Sequence, residues 1–143
     1  ALAGVPFGLS TASINIGKHI DKSEEDRRLG VHTLPVVIGQ TAARWVNFTA
    51  IVLAYAVTFY LVFVTRFLSP AMLLVLFAGP KAVKALVMLS RPRPAEPPAG
   101  YPPIWPRWFS VVSFFHNRWF GNLFILGIIL DLVVRLIFPG FWK

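Results

Sequence analysis

The chain has 143 residues, 56% of them hydrophobic and only 14% charged, with a mean hydropathy of +0.65. Soluble domains run at about 45–50% apolar and about 25% charged, so the composition argues for a membrane-embedded chain. The net charge of +8 lies between long apolar stretches, where positive-inside topology explains it better than a nucleic-acid partner, and the absence of cysteine excludes disulfides and thiolate metal sites.

Residues 1–16 are apolar and small, with no basic stretch ahead of them, so no signal peptide is expected. They are too few to cross ~30 Å of hydrocarbon at ~1.5 Å per residue and read as the end of a helix that starts upstream. Residues 17–40 form a polar, charged loop. A transmembrane helix is predicted over 43–64. Arg66 and Ser69-Pro70 mark a turn, and a second span over 71–89 carries Lys81 and Lys84 with a predicted kink at Gly79-Pro80. The stretch 91–118 reads as a proline-rich interfacial loop. Its seven prolines between Arg91 and Trp108 exclude regular helix there, and Trp105, Trp108 and Phe109 suit the headgroup region. A short interfacial helix is expected over 109–118, then a last span over 119–138 that stops at Pro139-Gly140. The predicted fold class is an all-α, polytopic membrane bundle of three full spans plus the end of a preceding helix. Alternating spans put the acidic loop and the proline-rich loop on one face, which gathers most of the basic residues and is therefore expected to be cytoplasmic.

The segment Asn15 to Gly39 holds four of the six acidic residues, Asp21, Glu24, Glu25 and Asp26. On a helix, Asp21, Glu24 and Glu25 would share one face. One or two carboxylates with phosphate oxygens and water are the usual way of holding Mg²⁺, and Lys18, Lys22, Arg27 and Arg28 stand ready for phosphate. A solvated helix laced with i,i+4 ion pairs has the same composition.

The wording of this segment, Asp21…Asp26-Arg-Arg-Leu-Gly30-Val-His-Thr33-Leu34-Pro35-Val36-Val-Ile-Gly39, resembles the second Asp-rich motif of the UbiA prenyltransferase superfamily. That family's D-x-x-x-D is followed by Gly, Thr-Leu-Pro-Val and a hydrophobic run ending in Gly. Three helices follow the motif in the family, as they do here. The resemblance implies a UbiA-like fold and transfer of a prenyl group from an allylic diphosphate to an acceptor. It implies Mg²⁺ and diphosphate held at Asp21, Glu25 and Asp26, with Asn15, Lys18, Lys22, Arg27, Arg28, Lys81 and Lys84 around the diphosphate. Two departures stand out. Asp21 and Asp26 are five apart, which puts Lys22 where D-x-x-x-D has a carboxylate. Either Asp21 with Glu25 takes the i,i+4 role, or a one-residue bulge restores Asp21, or metal binding is lost. The family's other Asp-rich motif has no candidate in these residues, so they do not complete such a site alone.

Other residues carry competing readings. Lys81 and Lys84 either reach a phosphate or snorkel to the interface. Asp131 and Arg135 read best as a structural i,i+4 pair. His19 reads as a surface histidine, and His116-Asn117-Arg118 as the cytoplasmic start of the last span, near a headgroup or acceptor. Gly30 and Pro35 look architectural. Besides the enzyme, two further readings are a non-catalytic UbiA-like subunit packing against other membrane proteins, quinone or lipid, and a transporter segment. The transporter lacks a matching inverted half.

Overall fold

A computed structural model describes residues 2–140 and 142. A short 3₁₀ turn (Leu2–Gly4) leads into α1 (Val5–Asp21), which is followed by α2 (Ser23–Arg28), α3 (Leu34–Ile38) and α4 (Gln40–Phe59), whose last turn widens to a π-helix (Tyr60–Val64). A 3₁₀ helix (Pro70–Ala78) runs on into α5 (Gly79–Leu89), and α6 (Phe109–Ile137) ends the bundle. No strand occurs among the described residues. Three helical stretches are long and apolar enough to cross a membrane: Gln40–Val64, Pro70–Leu89 and Phe109–Ile137.

Element boundaries differ from the sequence expectation in informative ways. The first helix does not stop at Ile16 but carries Lys18, His19 and Asp21 on its last turns. The acidic run forms α2, closed by Gly30 at φ +69, where Gly30 N–H bonds the Arg27 carbonyl and Val31 N–H the Asp26 carbonyl. This is the glycine-terminated helix end in which a left-handed residue satisfies the last carbonyls. Pro35 sits in the first turn of α3, where a missing N–H costs nothing. Gly79-Pro80 marks the change from 3₁₀ to α geometry for the same reason. The final helix absorbs the expected interfacial helix: at 29 residues and about 1.5 Å per residue, it is longer than the hydrocarbon core is thick.

The helices pack through small residues, as spans without a hydrophobic drive between them must. Ala43, Ala50 and Ala54 of α4, and Ala78, Ala82 and Ala85 along the 3₁₀–α5 helix, are buried. α1 and α6 run antiparallel: Gly17 meets Phe109 and Ser110, while Phe7 lies on Gly121 and Phe124. A Cβ on Gly17 would stand 2.8 Å from the Phe109 carbonyl oxygen, and one on Gly127 would stand 2.9 Å from Met72 Sδ. Glycine at these two places therefore allows helix backbones to touch. Outward faces are covered with exposed apolar side chains such as Phe63, Phe77, Ile129 and Leu136, the surface a lipid solvent requires.

Two polar contacts join helices in the interior, while Asn47 Oδ1 and His116 Nδ1 are buried without a partner. Asn47 Nδ2 lies 3.3 Å from Ser113 Oγ, and Tyr55 Oη 3.2 Å from His116 Nε2. His116 is fully buried rather than at the headgroups, because α6 begins at Phe109 and places it about two turns inside. At the opposite end, Asp131 accepts the Ser69 N–H at 2.6 Å and Arg135 Nε at 2.9 Å, while Arg135 Nη2 donates to the Phe67 carbonyl at 2.7 Å. The expected i,i+4 pair thus also clamps the turn between the first two spans onto α6. Asp131→Ala leaves the buried Ser69 N–H without its acceptor and is expected to destabilise the protein by about 2 kcal/mol. Thermal melting in detergent checks this, and an unchanged midpoint would show that the clamp is idle.

Candidate functional site

A cavity of about 870 Å³ opens between the C-terminal end of α1, α2, the proline-rich segment and the start of α6. Its cations are Lys18, Lys22, Arg28, Arg93 and Arg107, and its carboxylates Asp21, Glu24 and Glu25. Its apolar wall comes from Ile14, Ile104, Val111, Phe114 and Phe115. The lining follows from helix periodicity. Ile14, Lys18 and Asp21 share one face of α1, Lys22, Glu24 and Glu25 follow from the break and α2, and Ser110, Val111 and Phe114 share one face of α6. Because the two helices are antiparallel, the C-terminal end of α1 lies against the start of α6, and Ile14 and Phe114, each about one turn along from Lys18 and Ser110, line the same cavity.

The four acidic residues have separate roles. Asp21 accepts the backbone N–H groups of Trp108 (3.0 Å), Phe109 (3.0 Å) and Ser110 (2.9 Å), and Ser110 Oγ at 2.6 Å. It caps the N-terminus of α6 from another helix, where unpaired N–H groups and the helix dipole favour a carboxylate. Asp26 is buried, does not line the cavity, and takes the Thr33 hydroxyl at 3.0 Å and His19 Nδ1 at 3.2 Å. Glu25 pairs with Lys22 at 3.1 Å, and Glu24 with Arg27 at 3.6 Å. Both glutamates are more than half exposed, and such surface pairs hold weakly.

Burial pushes the Asp26 carboxyl up, but the hydrogen bonds from His19 and Thr33 and the charges of His19 and Lys22 outweigh it and hold it below its ordinary 3.8. A depressed folded-state value gives stability that is complete above the unfolded value and lost as pH falls through the folded one. Acid unfolding is therefore expected to set in below about pH 4 and to be shallower in Asp26→Asn. Superimposable acid profiles for the two proteins would contradict this linkage.

Of the other residues singled out in the sequence, Lys18, Lys22 and Arg28 line the cavity, whereas Asn15 is exposed outside it and Arg27 turns to Glu24. Lys81 and Lys84 line a second cavity of about 440 Å³ that shares Val111 and Phe115 with the first. The sequence reading missed Arg93, Arg107 and Ser110 as cavity residues. Tyr101 helps to hold Arg107 there: it donates to the Arg107 carbonyl and packs on Trp105 and Trp108. Burial first, and the nearby Asp21 charge second, raise its phenol above the ordinary 10.0. Among the described residues no three His, Cys, Asp or Glu side chains converge as a metal-binding group.

Compared with known families, residues 1–117 match the model of the UbiA prenyltransferase family. No curated protein and no solved structure gave a significant match.

Proposed function

The chain belongs to the UbiA prenyltransferase family, and from that premise we propose that it forms the diphosphate-binding side of a Mg²⁺-dependent intramembrane prenyltransferase. A prenyltransferase-type role follows from the family. The finer reading rests on one observation: a single cavity lined by five basic side chains, three carboxylates and an apolar wall, the groups that an allylic diphosphate with its isoprenoid tail calls for. Lys18, Lys22, Arg28, Arg93 and Arg107 would neutralise the diphosphate. Ile14, Val111, Phe114 and Phe115 would hold the first isoprene units and keep water from the carbocation left when the C–O bond breaks.

Glu24 and Glu25 fit a Mg²⁺ site, because they are exposed on the cavity wall and bound only by surface ion pairs. Two carboxylates plus diphosphate oxygens and water satisfy the cation's ordinary demand. Asp21 is less available, since its oxygens already accept four donors. A bound Mg²⁺ would supply Lewis-acid stabilisation of the leaving diphosphate. The excess of basic residues around the acidic and proline-rich segments supports a cytoplasmic mouth.

The test is prenyl transfer by the full-length protein in membranes, followed as diphosphate release with an allylic diphosphate donor. Chelation by EDTA should abolish release and Mg²⁺ should restore it. Release indifferent to EDTA would remove the metal from this reading. The engagement of Asp21 as a helix cap favours one alternative, a non-catalytic UbiA-like subunit. That reading gains if the protein co-purifies with membrane partners and shows no release under any metal condition.

A further inference from the structure

On the far side of Arg93 lies a separate cavity of about 310 Å³. Arg44, one turn into α4, faces it. Arg44 Nη1 is buried with no hydrogen-bond partner, and Nη2 has a long contact of 3.4 Å to Thr41 Oγ1. Arg93 comes from the proline-rich segment, its guanidinium positioned by the Pro106 carbonyl at 3.1 Å and by the Trp105 ring at 5.5 Å. Gln40 and Thr41 add polar lining, and no described carboxylate lines the space. A buried guanidinium N–H without an acceptor is costly, and two guanidiniums around one cavity without an acidic partner leave a positive charge uncompensated. The start of α4 adds to it: Gly39 provides no side-chain cap for the first turn of that 20-residue helix.

We propose that this cavity binds one phosphate group between Arg44 and Arg93. Planar guanidiniums match phosphate oxygens in a forked, two-bond geometry that a lysine does not reproduce. The position, where α4 enters the membrane beside Trp105 and Trp108, suits the phosphate of an anionic lipid headgroup, and the same chemistry accepts a free phosphate ester. The site is distinct from the larger cavity: Arg44 does not line that one, and Arg93 stands between the two.

The experiment uses the whole protein, delipidated in a neutral maltoside detergent, with melting followed by tryptophan fluorescence. Short-chain phosphatidylglycerol and inorganic phosphate are titrated separately. At least one should raise the melting temperature saturably, with half-saturation weakened about tenfold or more in Arg44→Gln. Arg118→Gln, an exposed position lining none of these cavities, should titrate like the unmodified protein. Saturation by phosphatidylglycerol alone assigns the site to a lipid headgroup, and saturation by phosphate assigns it to the bare phosphate group. Arg44→Lys, which keeps the charge and loses the fork, should melt normally without ligand yet bind several-fold more weakly. No saturable shift with either probe, a shift that survives Arg44→Gln, or an equal loss in Arg118→Gln overturns the proposal.

Discussion

Asp21→Ala is expected to destabilise the protein by about 3 kcal/mol, and to do so through α6 rather than through any metal. Four donors end on this carboxylate, three of them the N–H groups of the N-cap Trp108 and of the first two residues of a 29-residue helix. Removing it returns those donors to a half-buried site without an acceptor and removes a negative charge from the positive end of the helix dipole. Asp21→Asn keeps an acceptor and loses the charge, so it should fall between Asp21→Ala and the unmodified protein. Ser110→Ala removes one of the four bonds and should cost about 1 kcal/mol. Melting in detergent gives all three values. Activity in Asp21→Ala should fall too, since Arg107, Ser110 and Phe114 ride on the segment that Asp21 anchors. Its Mg²⁺ concentration dependence should nevertheless stay where it was. A variant of normal stability that needs far more Mg²⁺ would show instead that Asp21 is a metal ligand.

The double variant Glu24→Gln/Glu25→Gln should behave in the opposite way. Its stability should hold, because exposed ion pairs of this kind are worth about 0–1 kcal/mol. Diphosphate release should fall about 10²–10³-fold, the usual scale for removing groups that act on charge developing in the transition state, and the Mg²⁺ requirement should rise. Amide side chains keep the volume of the glutamates, so the shape of the cavity is preserved. Full turnover in the double variant would remove both residues from the mechanism. Comparing the two experiments separates a carboxylate that builds the cavity from carboxylates that work within it.

The contrast among the four acids shows where sequence reading stops. Asp21, Glu24, Glu25 and Asp26 stand within six positions, and motif and spacing treat them as one group. In the fold their side chains diverge. Asp21 finds its partners 87–89 residues downstream. Asp26 turns to Thr33 and His19 because the Gly30 helix end folds the chain back over it. Glu24 and Glu25 keep to the cavity wall. The irregular spacing around Lys22 also finds an explanation: a break between α1 and α2 at Lys22 places Asp21 on one helix and Asp26 on the next, so no single helical period relates them. Arg93 and Arg107 were visible as basic residues in a proline-rich stretch, but no local pattern ties them to Lys18.

The sequence by itself determined the solvent and the architecture. Hydropathy is a local property, and runs of apolar residues can satisfy their backbone only as helices in lipid, so three spans, their order and the charged segments between them were readable directly. The wording after Asp26 determined the family. The tertiary structure decided which charged groups share a cavity, because that depends on how closely α1 and α6 approach. Gly17 permits that approach and Asp21 fixes it, through contacts between residues some ninety positions apart, a distance over which neither periodicity nor composition carries information.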